Sequence, residues 1–343
     1  MREFLKLRQP TEALELFLEV FSPPLLEHEM IATENALGRI LAEPLFSPHP
    51  LPNFERSAMD GYAVKARNTY GASESFPAIL QCIGEVKMGE PAAFVIDDNQ
   101  CALIHTGGMI PQGANAVVPL EYTKSQRQQE NDFSIEVLNA VSAGENVIHI
   151  GADITTGEKL LEIGSLIRAV EIGGLLALGI TKISVFRKLN VGIISSGDEV
   201  VPPTVEIKLG QVRDVNTYTI SSLVQQRHHN PVSYGISPDN EEKLSRKVYQ
   251  AFHECDIVVI AAGSSASEKD LTSKVINKLG KPGVVIHGLN IRPGKPTILA
   301  VCNNKPIIGL PGNPVSAFVI AVSYTHLRAH ETPEHLVCRL LLE

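Results

Sequence analysis

Dense runs of lysine and arginine are missing from this chain, whose 30 basic side chains are outnumbered by 38 acidic ones for a formal net charge of −8. Neutralising a nucleic-acid backbone takes clustered positive charge, so no nucleic-acid partner is expected, although local basic loops could hold a small anion. The five cysteines, Cys82, Cys101, Cys255, Cys302 and Cys338, include no C-x-x-C pair. Neither a zinc site nor a disulfide framework is implied, and a reducing cytoplasm is the expected compartment. No apolar run approaches the roughly 18 residues of a membrane span, and Met1 to Pro10 mixes charged with apolar residues, unlike a signal peptide. Tryptophan and low-complexity tracts are absent too, yet 44% of the residues are hydrophobic and 20% charged. That is a globular composition, and 343 residues suggest about two or three domains on a prior of one per roughly 100 to 200.

Three textures succeed one another along the chain. Thr11 to Phe21, behind a possible Thr11 cap, and Glu34 to Leu45 carry apolar residues near helical spacing and read as two short helices. From Pro48 the pattern changes to brief β-rich runs, among them Ala102 to His105 and Ala116 to Val118, divided by Gly and Pro, with Lys124 to Asp132 as a polar loop. Near Lys188 short apolar strands begin to alternate with amphipathic helices. Strands are expected at Val191–Ile194, Val232–Ile236, Asp256–Ala261, Val284–His287, Thr297–Val301 and Ile307–Leu310, and helices at Thr217–Arg227, Glu241–His253 and Lys269–Leu279. Such alternation means βαβ units and a mainly parallel sheet covered on both faces.

Ligands of an open parallel sheet gather at the carboxyl ends of its strands, so the residues just beyond each strand are informative. Here Ser195-Ser196-Gly197-Asp198-Glu199, Gly263-Ser264-Ser265-Ala266-Ser267 and Pro311-Gly312-Asn313-Pro314 stand after three of them. All are small, polar and able to turn backbone N–H groups toward an anion, with Pro314 suited to a first helical position. Any one of them alone reads equally well as a tight turn. Lys295, between Gly294 and Pro296, adds positive charge at the same edge, or is a solvated turn lysine. Acids are the second group: Asp60 inside Ser57-Ala58-Met59-Asp60-Gly61-Tyr62-Ala63, then Asp153, Asp198, Glu199, Asp214, Asp239 and Asp270. Carboxylates beside phosphate-binding loops suggest Mg²⁺, though each could equally be a cap or turn residue. His105, His149 and His287 lie in apolar strands and read as accommodated core or edge residues.

Taken in order, these motifs resemble the MoeA family of molybdopterin molybdenumtransferases, to which the C-terminal half of gephyrin belongs. The resemblance runs from about Leu14 to Val322 and rests on Ala36 to Arg39, Ser57 to Ala63, Thr106-Gly107, Pro111, Gly113 to Val117, Gly151 to Ile154, Ser196 to Glu199, Gly210-Gln211, Asp214, Asn216, Pro293 to Pro296 and Gly309 to Pro314. It implies a multidomain α/β protein: a doubly wound molybdopterin-binding α/β domain over 184–322, and an elongated N-terminal α+β domain over 1–50 and 143–183 with a β-rich domain, 51–142, inserted into it. It also implies a homodimer, contact with molybdopterin adenylyltransferase, and a reaction in which molybdate enters adenylylated molybdopterin with release of AMP in the presence of Mg²⁺. On this resemblance Asp60, Thr106, Asp153 and Glu199 form the catalytic set, Asp60, Asp153 and Glu199 hold the metal, and Ser196, Gly197, Asp214, Gly263, Ser265, Asp270, Lys295, Pro311, Gly312 and Asn313 bind the pterin nucleotide.

The chain departs from the family pattern in two places. Ala262 and Ser267 replace glycines of the family's run after the third strand, which leaves a non-catalytic pterin binder or scaffold as an alternative; a simple adenylyltransferase would not need residues 1 to about 180. Ser323 to Glu343 resembles a translated sequencing-adapter segment where the family continues its helix into a C-terminal β domain, so 323–343 is expected to be non-native and the histidines in it, His326, His330 and His335, to hold no metal.

Overall fold

A computed structural model describes residues 7–22, 26–129, 132–262 and 266–326. Its backbone divides into two compact units, one built from Met1–Glu43, Ile163–Leu176 and Ile180–Glu343, the other from Pro44–Glu162 with Ala177–Gly179.

The first unit opens on α1 (Pro10–Val20), where Pro10 fills the first turn and no side chain caps the helix. A proline there loses no intrahelical bond, and Thr11 stands inside the helix instead of at its cap. Phe17 and Phe21 are buried with ring centroids 5.9 Å apart. The helix expected over Glu34 to Leu45 does not form. Thr33–Asn35 is a single 3-10 turn, after which Gly38 adopts φ +71° and Ile40 and Leu41 bridge in extended form to Leu166 and Val185. A left-handed residue ends helical backbone, and Pro44 prevents its resumption.

The second unit, in which Leu45–Phe46 pairs with Lys159–Leu161, carries the short strand β1 (Arg56–Ser57) and is built around a six-stranded sheet. Its strands are β2 (Gly61–Val64), β3 (Ala78–Glu85), β4 (Gln100–Ile104), β5 (Ala116–Pro119), β6 (Thr123–Gln129) and β7 (Asp132–Val137). They lie in the order β5-β2-β4-β3-β7-β6, with β3 and β4 parallel and the other pairs antiparallel. β2 is buried along its whole length and sends Tyr62 and Val64 into one apolar cluster and Ala63 into the other, the alternation of a pleated strand. Of the segment read as a polar loop, Lys124 to Asp132, the described residues lie in strands instead, Lys124 to Gln129 in β6 and Asp132 at the start of β7. An edge strand is held by backbone bonds to one neighbour and needs no apolar face, so its polarity hid it. The unit's last labelled strand, β8 (Val147–Ile148), pairs with β1.

Beyond α2 (Ala169–Ala177), the first unit resumes as a doubly wound domain. Its elements are β9 (Asn190–Ser196), α3 (Asn216–Gln226), β10 (Asn230–Ser237), α4 (Glu241–Glu254), β11 (Ile257–Ala262), α5 (Ala266–Asn277), β12 (Pro282–His287), β13 (Ile298–Cys302), β14 (Lys305–Pro311) and α6 (Pro314–His326). The sheet order is β10-β9-β11-β14-β13-β12, parallel through β14, with β13 antiparallel to both its neighbours. Phe17, Phe21, Ile220, Ala317 and Ile320 from α1, α3 and α6 cover one face, and Leu244, Val248, Phe252, Val275 and Ile276 from α4 and α5 cover the other. α4 shows how directly pattern becomes packing. Leu244, Val248, Ala251 and Phe252 share one helical stripe and are buried, and the Asn240 side chain accepts the Lys243 N–H at 3.0 Å to start the helix.

Candidate active site

The turn between β1 and β2 carries Asp60, and backbone bonds fix it against the turn that comes after β4. The Ser57 N–H bonds the Gly108 carbonyl at 2.9 Å and the Ser57 carbonyl takes the Gly107 N–H at 2.8 Å. Gly107 makes that turn at φ +83°, where a side chain is strained. The Asp60 carboxylate thereby accepts the Thr106 N–H at 2.7 Å and the Thr106 hydroxyl at 3.1 Å through one oxygen. These donors, the amide first, hold the Asp60 carboxyl below the usual carboxylate range, with His105 adding to the effect. The group is 56% exposed, so an ionised oxygen faces solvent and a ligand can reach it. Gly61 permits the arrangement by close approach: a Cβ there would lie 2.1 Å from the Val118 carbonyl oxygen.

His105, read as a core or edge residue of an apolar strand, lies outside one. It stands just beyond β4, 44% exposed, with Nδ1 3.7 Å from Asp60 and Nε2 3.1 Å from Glu85. β4 ends at Ile104, so the alternation that buries Ile104 no longer applies one residue later. His149, likewise read as core or edge, is 61% exposed and hydrogen-bonds Glu55 at 2.9 Å. Asp153 lies in the same turn region, its N–H on the Leu51 carbonyl at 2.9 Å and its carboxylate 3.6 Å from the Arg56 guanidinium. Arg56 Nε is buried and makes no hydrogen bond. Among the described residues no three His, Cys, Asp or Glu side chains gather as they would around a metal ion. Asp60 and Asp153 nevertheless present open carboxylate oxygens, the donors a Mg²⁺ ion takes one or two at a time while keeping waters and substrate phosphates. Glu199 belongs to the other unit.

In that unit the carboxyl ends of β9, β11 and β14 open into a cleft of about 420 Å³ lined by Ser195, Ser196, Glu199, Gln211, Arg213, Asp214, Asn216, Ala261, Gly312 and Pro314, among others. Asp214 is 6% exposed and lies in the wall of this cleft. Its oxygen takes the Ser195 hydroxyl at 2.9 Å and the Thr217 N–H at 3.1 Å, which caps α3. Asn216 donates to the Gly312 carbonyl at 2.8 Å and so ties the start of α3 to the loop before α6. The Asn313 side chain accepts the Ser316 N–H at 3.2 Å, and Pro314 is the first residue of α6, as its ring favours. Ser196 donates to Asp239 at 3.3 Å, while the Asp239 N–H reaches Asp198 at 3.1 Å. Gly197 takes φ +153°, and a Cβ there would meet the Glu199 carboxylate at 2.7 Å.

The structure thus brings Ser196, Glu199, Asp214, Asn216 and Gly312 to one cleft, with Pro311 and Asn313 flanking Gly312, and Asp60, Thr106 and His105 to one turn. Lys295 is exposed in the loop joining β12 to β13. Because β13 runs opposite to β14, that loop emerges where β14 ends, at the cleft's edge of the sheet, although Lys295 does not line the cleft itself. Gly263 and Ser265 lie outside the described residues, as does the side chain of Asp270 on α5, and so do 327–343 of the tail. Sequence reasoning missed Arg56, Glu85 and Arg213. Arg56 abuts the Ser57 motif and was open to notice; Glu85 and Arg213 carry no local signal.

Two family models match the chain in succession, "MoeA N-terminal region (domain I and II)" over residues 8–179 and "Probable molybdopterin binding domain" over 192–328. Among curated proteins, a putative molybdopterin biosynthesis protein of Methanocaldococcus jannaschii is 38% identical over 83% of this chain and 69% of its own length. The molybdopterin molybdenumtransferase of Haemophilus influenzae is 33% identical over 85% and 69%. A crystal structure of the molybdopterin biosynthesis MoeA protein from Pyrococcus horikoshii superposes with a TM-score of 0.79 at 30% identity, over 98% of this chain and 80% of that one. With both models matched in order and the fold shared along nearly its whole length, the chain belongs to the MoeA family.

Proposed function

We propose that this chain is a molybdopterin molybdenumtransferase of molybdenum cofactor biosynthesis, inserting molybdate into adenylylated molybdopterin with release of AMP. Relatives named for that transferase support the reading. The observation that carries it is the Asp60–Thr106 pair, an exposed carboxylate held ionised by a backbone N–H and a hydroxyl. In this reading the Thr106 hydroxyl, rotated from Asp60, and the partly exposed Arg56 guanidinium donate to molybdate oxygens. Asp60 and Asp153 would offer carboxylate oxygens to Mg²⁺, which when bound supplies charge neutralisation at the phosphate; Glu199 offers its own carboxylate at the cleft. The pterin nucleotide takes the cleft, where Ser196, Gly197, Asp214, Gly312 and Asn313 present hydroxyl, amide and carboxylate groups; Pro311 shapes the loop and Lys295 contributes charge from the edge. The family resemblance also assigns Gly263, Ser265 and Asp270 to nucleotide binding. Also proposed are a homodimer, contact with molybdopterin adenylyltransferase, and work in the cytoplasm; no helix among the described residues is long and apolar enough to cross a membrane.

The test is AMP release from adenylylated molybdopterin with Mg²⁺, with and without molybdate, for this chain and Asp60→Ala. Molybdate-dependent release that the substitution abolishes is the expected result. Release that is unchanged in Asp60→Ala sinks the site assignment, and folded protein that binds the nucleotide without releasing AMP sinks the transferase reading in favour of a binder.

A further inference from the structure

Cys82 and Cys101 are far apart in sequence and belong to no cysteine motif, yet they are direct partners in the parallel ladder between β3 and β4. Partners in register point to the same side of a sheet, and adjacent strands lie about 4.8 Å apart, inside the roughly 4.4 to 6.8 Å between Cα atoms that a disulfide spans. Both side chains enter the same apolar cluster, Cys101 fully buried and Cys82 partly open to solvent. The neighbouring Cys101 side chain draws the Cys82 thiol down to about 6, and Cys82 together with burial keeps Cys101 protonated. One thiol is therefore reachable and nucleophilic, and the other waits behind it.

We propose that Cys82 and Cys101 form a reversible thiol–disulfide site, with Cys82 as the attacking cysteine and Cys101 as the resolving one. The oxidant is a low-molecular-weight disulfide such as oxidised glutathione. The Cys82 thiolate attacks one of its sulfurs, a protein–glutathione disulfide forms, and the first glutathione leaves as thiolate and takes a proton. Cys101 then gives up its proton and attacks the Cys82 sulfur, and the second glutathione leaves as thiolate and is protonated in turn. Overall two protein thiols are oxidised by two electrons, one small disulfide is reduced to two thiols, and no further reactant is needed. The register sets the two residues directly opposite each other, the strand separation falling within the Cα span a disulfide bridges. Immediately after Cys82 the ladder is irregular, with Glu85 opposite Leu103. That irregularity places Glu85 3.1 Å from His105, which stands beside Asp60. Closing the disulfide pins the base of this bulge.

The full chain is equilibrated in glutathione buffers of graded potential, quenched with N-ethylmaleimide and weighed intact and after proteolysis. From the five cysteines of the chain, labelling should fall to three in one two-electron step, with a cross-linked peptide joining Cys82 to Cys101. Cys101→Ala should instead accumulate one glutathione on Cys82, and Cys82→Ser should take none on Cys101. Circular dichroism of each variant before oxidation confirms its fold, and Cys101→Ser replaces Cys101→Ala where the latter is unfolded. Retention of five labels in the oxidising buffers overturns the proposal, as does a cross-link between other cysteines or oxidation of Cys82→Ser at the wild-type potential.

Discussion

Replacing Gly61 by Ala adds one methyl group and is expected to cost far more than a methyl's worth of stability. β2 is hydrogen-bonded on both sides, to β5 and to β4, and it begins at the residue after Asp60. The new Cβ would lie 2.1 Å from the Val118 carbonyl oxygen and 2.9 Å from its carbon, backbone atoms that cannot rotate away. Ordinary contact of about 3.4 Å then demands a strand displacement of roughly 1 Å, and moving β2 away from β5 drives it into β4. Overpacking of this kind costs about 1–3 kcal/mol. Nearby bonds such as the 3.2 Å contact from the Leu120 N–H to the Asp60 carbonyl are stretched past useful length, each worth about 1 kcal/mol. The sum is about 3 kcal/mol, or roughly 10 °C in the melting of the unit that contains it. Gly173, in α2 with nothing within 4 Å of its would-be Cβ, supplies the control. Ala there should be neutral or stabilise by up to about 1 kcal/mol through helix propensity. Calorimetry paired with hydrogen exchange on β2, β4 and β5 reads both variants. A Gly61→Ala loss below about 0.5 kcal/mol, or one no different from that of Gly173→Ala, would refute the reasoning.

Single contacts carry further expected outcomes. Thr106→Val removes the hydroxyl donor to Asp60 but leaves the amide, so the Asp60 carboxyl should stay below the usual range yet less far below it; carboxyl titration by NMR checks this, and an unchanged midpoint contradicts the bonding described. Asp256 takes Arg187 Nη1 at 2.8 Å, Arg187 Nη2 at 2.6 Å and the Asn190 N–H at 2.8 Å. Burial works against its ionisation and these bonds outweigh it, leaving its pKa lowered. A depressed carboxylate stabilises the fold fully above its unfolded value near 4 and loses that contribution as pH falls through the folded value. Asp256→Asn should therefore cost about 2 kcal/mol at pH 7, and urea melts of the two proteins should converge toward pH 3; a gap independent of pH counts against it. Asn216→Ala breaks the bond to Gly312 and should weaken nucleotide binding at the cleft while costing about 1 kcal/mol of stability; calorimetric titration beside a melt separates the two effects.

Much of the fold was legible before any coordinate. The strands and helices from β9 onward fall within a few residues of expectation because each must bury one face, and the repeating pattern records that requirement. Pro314 at a helix start and the small polar residues after β9 and β14 were readable for the same local reason. The helix expected at Glu34 to Leu45 failed because its apolar spacing is equally satisfied by extended bridges once Gly38 turns left-handed. His105 and His149 were read as lying in strands, but each stands one residue past a strand's end, where alternation no longer says which way a residue points. The polar edge strand β6 was invisible, since backbone pairing leaves no trace in side-chain hydrophobicity.

The sequence by itself determined the family, the doubly wound character of the second half and the identity of the acids and loops worth examining, because these rest on local pattern and on motif order. Tertiary structure decided which of them meet. Only folding could lay the Thr106 turn over Asp60, give Asp214 to the wall of the cleft, and set Cys82 opposite Cys101, because each of these contacts is made by residues many positions apart and is fixed by strand register, which composition and spacing do not encode.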